Sequence, residues 1–180
     1  MGGISKPPYY SLNLASHVGD NGEAVQHNRQ LLRQFVNFPS DPVWLNQTHS
    51  NLVLNLNTFK LNGDRYYDGS YTSVSGRACV VLSADCLPVL FYSRSTDEVA
   101  ASHAGWRGLS DGILENTVYQ FHCDAKDIVA WLGPAIGPTQ FEVGENVKHQ
   151  FEQCSSEASV AFLCIDEKKQ KYLANIYMLA

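Results

Sequence analysis

Short apolar runs, each too brief for a typical helix and rich in β-branched or aromatic side chains, constrain this chain more than any other feature. They cover residues 78–82, 87–92, 98–102 and 128–132, and polar or turn-forming residues bound them. Runs of that length and composition read as buried strands. Elsewhere the apolar spacing changes to the helical period. Ala24, Val25, Leu31, Leu32 and Phe35 predict a helix over 23–36, capped by Asp20 or Asn21 and ended by Pro39 and Pro42. The same period predicts helices over 109–121 (capped by Ser110 or Asp111), 147–153 and 171–179. Residues 43–45 and 52–56 read as strands flanking a tight segment at 46–50, whereas 62–64 and 68–70 read as turns. The mixture is that of an α/β or α+β class with a largely buried sheet. A length of 180 residues fits one domain, 1–180. The last helical pattern is still running at Ala180 and the first residues enter in mid-loop, so the reading is of a domain truncated at both ends.

Charge and composition exclude several classes of function. Net charge is -5, and the 13 basic residues are scattered rather than striped, which argues against nucleic acid as a partner. No stretch approaches the ~20 apolar residues that span a bilayer, so no membrane partner is expected. Neither a basic nor an apolar leader opens the sequence, and a cytoplasmic location is expected. The five cysteines are odd in number and lack the CxxC spacing of a zinc ribbon, so they read as thiols.

Three polar segments follow or separate the apolar runs and concentrate the reactive side chains. They are Asn46-Gln47-Thr48-His49-Ser50, Ser83-Ala84-Asp85-Cys86-Leu87-Pro88 and Ser102-His103-Ala104-Gly105-Trp106-Arg107-Gly108. Loops at strand ends are where a rigid scaffold assembles sites. His49, Cys86 and His103 offer two imidazoles and a thiolate. That set suits a catalytic zinc ion, which takes three protein ligands and leaves a position for water. Copper is the alternative, although the weak axial ligand of a blue-copper site would have to be Met1 or Met178, both at chain ends. His17, His27, His122 and His149 read as structural or surface residues. Asp85 lies between apolar runs and needs a partner if buried, and Arg107 is the nearest cation in sequence. Arg107 also sits in a Gly-Trp-Arg-Gly turn that can approach an anion, and Trp106 and Phe141 can stack on a flat ring.

The chain resembles the YfiH/YlmD laccase-domain family, named for polyphenol oxidase and purine nucleoside phosphorylase activities. The resemblance runs through Gly2-Gly3-Ile4-Ser5, Ser11-Leu12-Asn13-Leu14, His17-Val18-Gly19-Asp20, Gln47-Thr48-His49, Ala84-Asp85-Cys86-Leu87-Pro88-Val89-Leu90, His103-Ala104-Gly105-Trp106-Arg107-Gly108, Gly133-Pro134-Ala135-Ile136-Gly137-Pro138 and Phe141-Glu142-Val143-Gly144. It implies a layered α/β/β/α sandwich with mixed sheets, and metal ligands at His49, Cys86 and His103. It also implies phosphorolysis of adenosine, inosine, guanosine and methylthioadenosine, and deamination of adenosine. Catalytic roles then fall on Asp85, Cys86 and Arg107, and substrate contacts on Asn13, Gln47, Trp106 and Arg107. Purine nucleosides and phosphate are the implied partners. A copper polyphenol oxidase, a cysteine hydrolase using Cys86 (with peptidoglycan precursor editing attributed to some members) and an inactive interaction module are the alternatives. Met1 stands where the family usually has an arginine, and Ser50 where it usually has a glycine.

Overall fold

The computed structural model describes residues 2–60 and 62–180; Met1, where the family's arginine usually stands, lies outside them. The chain divides into two units, Met1–Val43 with Ser75–Ala78, and Trp44–Val74 with Cys79–Ala180. In the first, α1 spans Gly22–Val36, and the Asn21 side chain accepts from the Ala24 N–H, as an N-cap should. The helix stops before the prolines expected to end it, because Asn37 turns left-handed at φ 55° and its N–H returns to the Arg33 carbonyl. From the buried face of α1, Asn28 bonds Ile4, Ser5 and Asn13, which ties the N-terminal segment to the helix.

Among its described residues the second unit holds two sheets. The larger contains β1 (Val53–Asn55), β2 (Gly69–Thr72), β3 (Leu87–Ser93), β4 (Val99–Ala104) and β5 (Ile128–Leu132), in the order β1-β2-β4-β3-β5. Among the described residues β1 and β2 run parallel and the other pairs antiparallel, so the sheet is mixed. The smaller is antiparallel: β6 (Glu142–Gly144), β7 (Phe162–Asp166) and β8 (Lys171–Ala174), in the order β6-β8-β7. The helices are α2 (Trp106–Ser110), α3 (Ile113–Val118), α4 (Glu145–Cys154) and α5 (Ile176–Leu179). One core joins Tyr71, Leu87, Val89 and Phe91 of the larger sheet to Leu109 and Ile113 of the helices that follow it. The same core takes in Val143, Val147, Phe151 and Ile176 from the smaller sheet and its helices. The layered mixed α/β class is the one expected.

Several local expectations fail for physical reasons. Residues 78–82 form no strand; Gln47 pairs its side-chain amide with the Leu82 backbone and stands in for a ladder. Residues 43–45 likewise form no strand. The Asp-Gly-Ser signal at 68–70 opens a fully buried strand rather than a turn. A Cβ on Gly69 would lie 3.2 Å from Val53 and 3.3 Å from Ser102, so the strands meet where only hydrogen fits comfortably. The pattern over 109–121 breaks at Gly112, whose φ of +87° separates α2 from α3. β5 is a strand but not a buried one, because it is the sheet edge; Trp131 is 55% exposed. The helix expected over 171–179 is a strand followed by one turn. Asn175 caps that turn, accepting from Tyr177 and Met178. Strands β6 and β7 had no reading in the sequence.

Candidate metal centre

His103 is the penultimate residue of β4, where the ladder places it beside Pro88 of β3. Cys86 directly precedes β3, and its carbonyl accepts from the Ser83 hydroxyl, closing the loop on itself. Behind it, Ile136 donates to the Asp85 carbonyl at 2.9 Å, so the 133–138 loop braces the Cys86 loop. Tyr177 holds that brace in turn, accepting from Ala135 N–H at 2.8 Å and donating to the Gly133 carbonyl. His49 sits in the loop before β1 with φ 61°, a left-handed conformation that non-glycine residues seldom adopt.

These three residues converge. One ligand atom from each of His49, Cys86 and His103 lies within 4.8 Å of the others. The Cys86 Sγ is 3.8 Å from His49 Nε2, and the two imidazole centroids are 4.9 Å apart, edge to face. At ordinary zinc bond lengths a tetrahedral ion holds sulfur and nitrogen about 3.6 Å apart. The donor set and its span therefore fit a metal ion. Gly105 completes the fit: a Cβ there would come 2.7 Å from His49 Cδ2 and 3.0 Å from Cys86 Sγ, so a side chain there would push His49 and Cys86 out of place. His103 is buried, Cys86 half-buried and His49 partly exposed, an arrangement open on one side.

Asp68, in a segment with the composition of a turn, hydrogen-bonds to residues of this cluster. Asp68 is fully buried, and its Oδ1 receives His103 Nδ1 at 2.9 Å and the His49 N–H at 3.0 Å. Its Oδ2 receives the N–H groups of Thr48 and Ser50 at 3.0 and 2.7 Å and the Ser50 hydroxyl at 2.8 Å. Successive N–H groups converging on one anion form a nest, here filled by the chain's own carboxylate. Burial acts to raise the Asp68 pKa, but the bonds from His103, Ser50 and Thr48 outweigh it and hold it at about 2. Burial likewise works against a charged His103, yet Asp68 and Cys86 lift its pKa to about 9. Burial, and then His103, lower the pKa of His49, which favours its neutral, ligating form. No local pattern marks Asp68 in the sequence; only the pairing of Gly69 with Ser102 brings it against His103.

The other expected site residues are placed as follows. Asp85 is exposed rather than buried, and no ion pair joins it to Arg107 among the described residues, so its assumed need for a partner disappears. Arg107 is exposed, with its guanidinium 4.4 Å from the Trp106 ring centroid. Gln47 spends both amide atoms on the Leu82 backbone at 2.7 Å each. Asn13 lies in the first unit, where its amide bonds Asp20 and Ala15.

Fold and cluster define a mixed α/β protein with a His–Cys–His donor set at the ends of its strands. The chain belongs to the family described as multi-copper polyphenol oxidoreductase laccase, whose match covers residues 1–180. It is 50% identical over 184 residues to the purine nucleoside phosphorylase YfiH of Escherichia coli (strain K12), covering 100% of this chain and 72% of that protein. A Haemophilus influenzae purine nucleoside phosphorylase is 49% identical, over 99% of this chain and 72% of its own length. Among solved structures, the Neisseria meningitidis protein NMB0706 superposes with a TM-score of 0.92 at 45% identity, covering 99% of this chain and 72% of that one. YlmD from Geobacillus stearothermophilus gives 0.88 at 29% identity, covering 99% and 71%. The resemblance to YfiH and YlmD is thereby borne out.

Proposed function

We propose that this chain carries the catalytic centre of a zinc-dependent purine nucleoside phosphorylase that acts on adenosine, inosine, guanosine and methylthioadenosine and also deaminates adenosine. The observation that carries the reading is the convergence of His49, Cys86 and His103 in a chain half identical to a protein named a purine nucleoside phosphorylase. Zinc held by those three residues would act as a Lewis acid and lower the pKa of a bound water towards ~7.

The chain's own residues supply the rest. In phosphorolysis a phosphate oxygen bonds the anomeric carbon as the bond to the purine breaks, and the purine leaves with that electron pair and gains a proton. Phosphate needs a cation, and the exposed Arg107 beside the cluster is the candidate. Asp85, exposed next to Cys86, is the candidate group for handling the proton. Trp106, half-buried under the Arg107 guanidinium, presents an aromatic surface of the kind that receives a purine. Gln47, two residues before His49, is held by the Leu82 backbone and faces substrate from that fixed segment in this reading. The unpaired thiols favour a reducing, cytoplasmic setting. No helix among the described residues is long and apolar enough to cross a membrane.

A copper polyphenol oxidase is the second reading, favoured by the description of the family. Several coppers demand around ten histidines. Among the described residues only His49, Cys86 and His103 form a cluster with metal spacing.

The deciding test is adenosine turnover by protein of known metal content, with and without phosphate, comparing wild type with Cys86→Ser. Phosphate-dependent release of adenine, lost in the variant together with zinc, is the expected result. Inosine formed without phosphate reports the deaminase activity. Zinc occupancy unchanged in Cys86→Ser would overturn the site.

A further inference from the structure

We infer that Asp68 is a positioning residue that aims both imidazole ligands at the metal through one shared carboxylate. This deepens the metal reading above and rests on it. A fully buried carboxylate must be satisfied by donors, and among the described residues the donors to Asp68 are ones that carry or flank the ligands. By accepting from His103 Nδ1 it occupies that nitrogen, which leaves Nε2 as the ring's ligating atom. The same Oδ1 accepts the His49 backbone N–H, so the two ligands refer to one fixed point although they are remote in sequence.

The backbone of Asp68 is fixed as firmly as its side chain. Its N–H donates to the Leu52 carbonyl at 3.0 Å, and its carbonyl accepts from His103 N–H at 2.7 Å. The residue is therefore a strut between the His49 loop and β4. The left-handed φ of His49 follows from it, because three successive N–H groups can meet one anion only if the backbone curls at that position. The Cys86 loop is held by a separate set of contacts, Ser83 to the Cys86 carbonyl and Ile136 to the Asp85 carbonyl, so Asp68 governs the histidines and not the thiol.

Asp68→Asn tests this, because asparagine keeps the shape and one acceptor but turns an NH2 group towards donors that need an oxygen. Zinc affinity, measured by competition with a chromophoric chelator, is expected to fall about 10–100-fold, and the visible spectrum of the cobalt-loaded variant to change. A folded variant with wild-type zinc affinity and cobalt spectrum overturns the inference. Should the variant fail to fold, long-range 1H–15N spectra of zinc-loaded wild type still decide: His103 is expected protonated at Nδ1 and metal-bound at Nε2, and the opposite tautomer overturns the inference. Zinc bound by wild type and Cys86→Ser alike, or by neither, fails the metal reading and this inference with it. Zinc bound by wild type but indifferent to Asp68 fails this inference alone. Absent nucleoside turnover with the metal results intact fails only the phosphorylase reading.

Discussion

The β2/β4 ladder carries a buried carboxylate paired with a histidine at each of its ends, and the two pairs have different fates. At one end Asp68, just before β2, meets His103 of β4. At the other Glu98, just before β4, meets His122 through Nδ1 at 2.7 Å and also takes Thr96 Oγ1 at 2.6 Å and the Tyr71 hydroxyl. Both carboxylates are held at about 2; for Glu98, burial opposes this and the bonds from Thr96, Tyr71 and His122 outweigh it. The imidazoles differ. The His103 side chain is 6% exposed and faces a thiol and a second imidazole, whereas that of His122 is 74% exposed, with most of its ring in solvent. A carboxylate–imidazole pair is thus an ordinary way to satisfy a buried acid. It becomes part of a site only where further donors converge on the far side of the ring.

Removing the acid from the second pair gives the largest expected change in stability. Glu98→Ala removes the shared acceptor of the Tyr71 and Thr96 hydroxyls and the His122 N–H, and is expected to cost about 3 kcal/mol while leaving zinc affinity unchanged. The effect carries a pH signature. The Glu98 pKa falls from an ordinary 4.5 to about 2 on folding, so its stabilisation is complete above 4.5 and lost as pH falls through 2. Urea melts of wild type and variant should therefore differ most at neutral pH and converge over that acid window. Zinc binding weakened as much as by Asp68→Asn would show that the two ends are not distinct in role.

The same contrast explains what could be read from the residues alone. The convergence of His49, Cys86 and His103 was legible because chemistry marks them individually: imidazole, thiol and imidazole, each next to a strand end. Strands β3 and β4 were legible because burial on a central strand leaves an apolar run. Asp68 was not, since Asp-Gly-Ser has the composition of a turn and acquires its role only when β2 pairs with β4. The edge position of β5 escaped notice for a related reason: its sequence carries the residues of a central strand, and only the strand order leaves Val129 and Trp131 exposed. The segment 171–179 misled because apolar spacing could not register the Asn175 cap, which starts a new element where the pattern looks continuous.

Gly105→Ala should produce the reverse of Glu98→Ala. The backbone there, at φ −73°, admits alanine without strain, so metal-free stability should change little. The added methyl, however, would lie 2.7 Å from His49 Cδ2. His49 must move away from Cys86, and zinc affinity is expected to fall about tenfold or more, on the scale of a disturbed ligand shell. Chelator competition beside a thermal melt measures both. A variant that loses stability but binds zinc normally would mean that the close approach of Gly105 serves packing and not the cluster.

The smallest effect makes the sharpest comparison, because one bond of the same kind can be removed at each end. Ser50→Ala deletes a hydroxyl that donates to Asp68 Oδ2 at 2.8 Å, and Thr96→Val deletes one that donates to Glu98 Oε2 at 2.6 Å. Each carboxylate keeps its other partners, so each change should cost about 1 kcal/mol or somewhat more, as for a hydrogen bond to a charged group. Stability alone would then call the two ends equivalent. Zinc binding should separate them: Asp68 with one donor fewer holds the His49 loop less firmly, and affinity should drop a few-fold in Ser50→Ala while Thr96→Val matches wild type. Equal zinc affinity in both variants would mean that the remaining N–H donors of residues 48–50 suffice to fix the loop. The hydroxyl of Ser50 would then be a local stabiliser, equivalent to that of Thr96 and without influence on the metal.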